Sequence, residues 1–452
     1  MTGLKRYATY LVLLTSYLFS SCGVEQQLSR SAKETVLQQP AFKAAHAGIS
    51  IYEPATGKYW FNYQGDKYFV PASNTKIPTC YAAMKYLGDS LVGLKYDIQL
   101  WENDNHTGYD TLIRFEPSGD PTFLHPDFKF QPVFDTLRNK SYKLNLYAPL
   151  YYWRYFGSGW SWSDAQESYM PPRSFFPVYG NVIRFRLNLG SISVWPSFLR
   201  KNVYVTRNKN WNVIGRLDTE NIFYIDSTDL LNYNKEIPFF PREDYIKSLL
   251  EDTLKKEISY GYKPFFEKAY RAQRINNPLL IHSQPTDSLL KPMMHRSDNF
   301  FAEQSLLMVS NELLGVMNDE RIIDTLLKTD FKDLPQKPRW ADGSGLSRYN
   351  LFTPQAMVAI LTKMKNEFGM ERIKVIFPTG GEGTISSYYK QDAGFIYGKT
   401  GTLSGVVAFS GFLYTKKGKL LIFSTLINNH QGSATDIRRA IENFLQGVRS
   451  KY

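Results

Sequence analysis

Three short stretches of this chain set a nucleophile or a proton carrier beside a neighbour at a spacing chemistry can use. The first is Ser73-Asn74-Thr75-Lys76. On a helix, residues three apart share a face, so the Lys76 amine can reach the Ser73 hydroxyl. A serine at a helix N-terminus also sits in a positive backbone field that favours its alkoxide. Spacing alone does not single it out, because Ser288 with Lys291 and Ser387 with Lys390 repeat it. The second is Ser297-Asp298-Asn299, where an apolar helix begins; the same residue types also make an ordinary helix cap. The third is Lys399-Thr400-Gly401-Thr402, at the end of a predicted strand. There Gly401 lets a substrate backbone come close, Lys399 supplies positive charge, and two hydroxyls can bind a carboxylate. A plain β-turn is the competing reading.

Order weighs these readings against one another. S-x-x-K, then S-x-N, then K-T-G is the motif series of penicillin-recognising serine enzymes. On these residues the chain resembles the D-alanyl-D-alanine carboxypeptidase/endopeptidase family, the class C low-molecular-mass penicillin-binding proteins. The likeness extends to Pro71-Ala72 before the nucleophile, to Gly119-Asp120-Pro121, and to Gly159-Trp160-Ser161-Trp162-Ser163-Asp164. It continues in Asp342-Gly343-Ser344-Gly345-Leu346-Ser347-Arg348 and in Gly381-Glu382-Gly383-Thr384, and so covers most of residues 45–445. Ser73 and Ser297 stand 224 residues apart. Serine β-lactamases generally lack so large an insert there, and this family resembles the chain in carrying one.

The resemblance implies an α/β (α+β) serine β-lactamase/penicillin-binding-protein-like transpeptidase fold: an antiparallel sheet flanked by helices, with a large, mostly-β inserted domain. It also implies acyl transfer through a covalent serine, with peptidoglycan stem peptides as substrates and β-lactams as covalent inhibitors. Ser73 then attacks the carbonyl between two D-alanines, and neutral Lys76 takes its proton. Burial and the neighbouring Lys399 are both expected to lower the Lys76 pKa. Ser297 relays a proton to the leaving amine, Asn299 holds the substrate amide, and Lys399 with Thr400, Gly401 and Thr402 receives the terminal carboxylate. The backbone N–H groups of Ser73 and Thr402 are the implied oxyanion hole. Asp164 is a candidate for meeting the free ammonium of a diamino acid in the stem, a solvated structural Asp being the alternative. The aromatic run from Tyr147 to Trp162 is read either as a glycan groove or as core and interface. No metal or organic cofactor is implied, and the six His show no metal-ligand spacing. A β-lactamase or esterase with the same nucleophile, and a non-catalytic cell-wall binding protein, are the competing functions.

These residues need elements to hold them. Ala47–Tyr52 and Lys58–Tyr63 read as strands joined by a turn at Pro54–Gly57, and a helix is predicted from Ser73 to Tyr86. Apolar periodicity predicts helices over Asp298–Leu314, Thr353–Lys365 and Ala434–Gly447. Phe395–Lys399 reads as a strand entering a turn, and Val406–Tyr414 with Lys419–Asn428 reads as a hairpin. Between them, short β-like runs such as Val182–Leu187 and Val203–Val205 predict a largely β insert. The expected organisation is therefore a catalytic domain over 41–94 and 271–452, with 95–270 inserted.

The chain has 452 residues, 43% hydrophobic and 21% charged, which excludes a disordered tail or a collagen-like rod. A net charge of +12 without a long Lys/Arg run gives no sign of nucleic acid as a partner. Residues 1–22 show a basic start at Lys5-Arg6, an apolar Tyr7–Phe19 and the small pair Ser20-Ser21 before Cys22. This resembles a bacterial lipoprotein signal peptide, with Phe19 standing where such signals usually have Leu. It implies export to the periplasm and a membrane anchor through lipid on Cys22. Residues 23–40 are then expected to be a tether, and Cys80 a free, buried thiol.

Overall fold

The computed structural model describes residues 23–102, 107–151, 154–188, 191–207, 214–226, 233–261 and 275–452. Residues 1–22, read above as a signal peptide ending at Cys22, lie outside the described residues. A five-stranded antiparallel sheet joins the two ends of the chain. Its order is Ile396–Leu403, Val406–Tyr414, Leu420–Asn428, His46–Glu53, Lys58–Tyr63. Side chains alternate between faces, so Phe412 and Ile422 join one core while Leu413, Leu421 and Phe423 join the other. The first core is filled by the helices Lys76–Tyr86, Thr286–His295, Asn299–Leu314 and Pro354–Ile376. The second is closed by the C-terminal helix Ala434–Lys451, through Ile441, Phe444 and Leu445. Cys80 is buried in the first core, and burial pushes its thiol pKa up.

Among the described residues between the Lys76–Tyr86 and Thr286–His295 helices, strands outnumber helices, as the turn-rich pattern predicts. A mixed five-stranded sheet runs in the order Ile258–Tyr260, Tyr142–Leu146, Tyr109–Pro117, Ser90–Glu102, Leu279–Pro285. Two three-stranded sheets follow, one of Val203–Thr206, Phe223–Asp226 and Ile214–Arg216, the other of Tyr233–Pro238, Val182–Asn188 and Ser191–Trp195. They share one apolar core with the short helix Glu243–Leu254.

Two expectations are corrected. The stretch read as a tether is helical over 23–32 and continues as a wider turn, Lys33–Leu37. Leu28, Ala32 and Val36, spaced four apart, are buried in the core that holds Phe444 and Val448. Each large apolar side chain buried this way contributes about 1.5–3 kcal/mol, which outweighs the polar composition that suggested a free linker. The K-T-G segment is not a turn: the strand runs unbroken from Ile396 to Leu403, with Lys399 opposite Ser410 and Gly401 opposite Ala408. Among the described residues no helix is long and apolar enough to cross a membrane.

Candidate active site

Ser73 stands in a tight 3₁₀ turn, Ala72–Thr75, that runs directly into the Lys76–Tyr86 helix. In such a turn residues three apart eclipse. This places Lys76 Nζ 3.1 Å from Ser73 Oγ. Lys76 Nζ also donates to Asn299 Oδ1 at 2.6 Å and to the Ser344 carbonyl at 2.7 Å. An ammonium fills all three places with its three protons. A neutral amine has two protons and one lone pair, and two of the three partners are pure acceptors. The lone pair of neutral Lys76 therefore faces the Ser73 hydroxyl.

Burial lowers the Lys76 pKa to about 8, opposed by the carboxylates of Asp342, Glu303 and Asp298. Lys399 is pushed well below its ordinary value, first by burial and then by the Lys76 cation. The repulsion expected between the two lysines thus shows on Lys399. The other two S-x-x-K lysines, Lys291 and Lys390, are exposed, whereas Lys76 is fully buried.

The remaining motifs converge on the same point. Lys399 Nζ donates to Ser297 Oγ at 2.9 Å and to the Thr400 carbonyl at 2.7 Å. Asn74 Nδ2 donates to the Lys399 carbonyl at 2.8 Å and ties the serine turn to the K-T-G strand. A Cβ on Gly401 would lie 2.6 Å from the Pro71 carbonyl oxygen and 3.0 Å from Ser73 N, so only glycine lets the strand approach. Asp298 caps the Asn299–Leu314 helix by accepting from Phe301 N. Asp298 is thus the cap, while Ser297 and Asn299 contact Lys399 and Lys76. Ser297, at φ 64, turns the chain just before that cap. Thr400 Oγ1 donates to Thr384 Oγ1 at 2.7 Å, and Thr402 Oγ1 accepts from Arg438 Nη2 at 2.8 Å.

Several supporting residues escaped sequence reasoning. Glu303 is buried on the Asn299–Leu314 helix; its Oε1 accepts from Ser344 N at 2.8 Å, so it holds the segment whose carbonyl holds Lys76. Arg173, in the insert and also buried, grips Glu303 Oε2 at 2.6 Å and Asp319 Oδ2 at 2.7 Å. Asp342 accepts from Gly345 N, Ser347 N and Trp160 Nε1, at 2.7–2.9 Å. A charge inside the largely apolar stretch Phe300–Val309 was the available signal for Glu303; Arg173 carried no local signal.

Asp164 lies in the turn Trp162–Asp164, where its Oδ1 accepts from Ser163 Oγ at 3.2 Å, and it neighbours the Tyr169 phenol, whose pKa is raised to about 12, chiefly by burial. The Tyr169 carbonyl accepts from Asn299 Nδ2 at 2.8 Å. Tyr169 is thus tied to the cluster through its backbone carbonyl. Of the Tyr147–Trp162 run, Tyr152 and Trp153 lie outside the described residues. Among the described residues no group of three or more His, Cys, Asp or Glu is placed to hold a metal ion.

Comparison with known proteins places this geometry in context. The sequence profile of the D-Ala-D-Ala carboxypeptidase 3 (S13) family matches residues 29–222 and 225–448. A D-alanyl-D-alanine carboxypeptidase of Actinomadura sp. (strain R39) is 24% identical over 448 residues, which is 89% of this chain and 81% of that protein. The crystal structure of penicillin binding protein 4 from Haemophilus influenzae superposes with a TM-score of 0.72 at 19% identity, covering 93% of this chain and 98% of that one. A predatory peptidoglycan endopeptidase of Bdellovibrio bacteriovorus gives a TM-score of 0.53 at 14% identity, over 90% and 93% of the two chains.

Proposed function

The chain belongs to the D-Ala-D-Ala carboxypeptidase 3 (S13) family, and from that premise we propose how its own residues act as a serine-type D-Ala-D-Ala carboxypeptidase and DD-endopeptidase on peptidoglycan stem peptides. The observation that carries the reading is the lone pair of Lys76, which its two acceptor partners leave facing Ser73 Oγ. Lys76 takes the Ser73 proton as Oγ adds to the carbonyl between the two D-alanines. Ser297 passes a proton to the departing amine, supported by its contact with Lys399 Nζ. The substrate carboxylate meets Lys399 with Thr400 and Thr402 across Gly401. Its negative charge favours the ammonium of Lys399, which burial alone disfavours. Water then hydrolyses the acyl-enzyme. Asn299 orients both Lys76 and the substrate amide, and Asp164 receives a stem-peptide ammonium.

D-Alanine release from a pentapeptide ending in D-Ala-D-Ala tests these assignments. Ser73→Ala loses roughly 10³-fold or more of kcat/KM. Asp164→Ala lowers kcat/KM only for stems whose diamino acid carries a free ammonium. Equal losses on stems with and without it would remove Asp164 from the binding site.

The N-terminal pattern supports export and lipidation at Cys22, which would hold the enzyme at a membrane facing the periplasm. Feeding cells a labelled fatty acid reads this directly: label on the wild-type chain and none on Cys22→Ser is the expected result. Label on both variants would move the anchor elsewhere.

A further inference from the structure

Not all of the aromatic run went to core. Tyr155, Phe156 and Trp162 line an open cleft of about 300 Å³ together with Phe240, at the low end of small-molecule site volumes. Trp162 is 74% exposed and Tyr155 37%, a large apolar surface to leave in water. The cleft's polar lining includes Gln166, Asp218 and Arg242 beside the hydroxyls of Ser163 and Thr219. Ring faces with planar donors and acceptors beside them suit one ligand chemistry well. A pyranose ring offers C–H groups on its flat face, which rest on the negative face of an aromatic ring. Its hydroxyls at the edge bond amide, carboxylate and guanidinium groups.

The cleft is joined to the catalytic cluster on two sides. Trp162 shares its turn with Asp164, whose carbonyl accepts from Glu167 N, and the carbonyl of nearby Tyr169 accepts from Asn299 Nδ2. Phe240 meets Phe156 edge-on with ring centres 6.1 Å apart, Phe156 lies tilted against Trp160 at 6.2 Å, and Trp160 Nε1 donates to Asp342. We propose that this cleft is a saccharide subsite that holds a sugar ring of the glycan from which the stem peptide hangs. The inference rests on the peptidoglycan reading given above, since that substrate carries sugar and peptide on one molecule.

Two measurements on the full chain test it. Calorimetric titration with tetra-N-acetylchitotetraose is expected to show binding that Trp162→Ala weakens about tenfold, the usual scale for one ring contact of about 1.4 kcal/mol. Hydrolysis is then compared between a disaccharide-pentapeptide and the bare pentapeptide. The wild type is expected to show a lower KM for the sugar-bearing substrate, and Trp162→Ala and Asp218→Asn to bring the two KM values together. Absence of chitotetraose binding, equal binding by wild type and Trp162→Ala, or a KM that rises alike on both substrates would overturn the saccharide assignment; the last would put peptide in the cleft. Binding that follows the prediction without hydrolysis of either substrate would leave the subsite standing and remove the peptidase reading instead.

Discussion

Lys76 and Lys399 are two buried amines serving one hydroxyl each, and their surroundings set them apart. Lys76 faces the carboxylates of Asp342, Glu303 and Asp298, which hold its pKa at about 8 against burial. Lys399 is pushed well below its ordinary value by burial and by the Lys76 cation. Because Lys76 must be neutral to take a proton, the acylation rate of the free enzyme is expected to rise with pH through about 8. Glu303→Gln removes one of the charges that keep the proton on Lys76, while its amide oxygen can still accept from Ser344 N. The rising limb should therefore move to lower pH in that variant. A pH–rate profile of acylation checks this; a limb that stays put or moves up would assign the titration to another group. Of these carboxylates, Asp342 and Glu303 were not assigned a role from the sequence. Asp342 lay in a quoted motif without a role, and Glu303 only acquires one when Ser344 folds against it.

At the scale of elements, the serine turn is held by two separate segments, the K-T-G strand and the stretch carrying Gly345. Ala72 adopts φ 47, a conformation uncommon for a residue with a side chain. Asn74 bonds the K-T-G strand, Gly401 packs against Pro71 and Ser73 N, and Gly345 presses on Ala72, where a Cβ would lie 1.9 Å from the carbonyl oxygen. Neither the Gly401 nor the Gly345 position has room for a side chain. This explains one misreading: glycine in Lys399–Thr402 looked like a turn signal, but it serves a close backbone approach inside a strand. A 3₁₀ turn in place of the first helical turn was likewise not legible, because local propensity does not register contacts made by residues 270 or 330 positions away. Strongly periodic segments fared well. The helices Asn299–Leu314 and Ala434–Lys451 and the strands Val406–Tyr414 and Leu420–Asn428 lie within a few residues of where apolar spacing puts them.

At the scale of the whole molecule, the insert is built into the site. Arg173 reaches Glu303, Gln304 Nε2 donates to the carbonyls of Gly119 and Ser174, and Trp160 reaches Asp342. Each bond joins the β-rich part to an element that touches Ser73 or Lys76. Motif order alone carried the family, because the motifs are set by chemistry at short range. The bonds that tie insert to catalytic sheet are long-range pairings of single residues, and such pairings leave no pattern in one sequence. The central claim is that Ser73 becomes acylated with Lys76 as its base and that the acyl-enzyme persists when the acyl group is a β-lactam. The most direct test is the intact mass of the full chain, followed in time after adding benzylpenicillin, with Ser73→Ala in parallel. The account predicts a long-lived adduct of one penicillin on the wild type and none on the variant. An adduct on both chains, penicillin consumed without a lasting adduct, or no reaction with the wild type would contradict it.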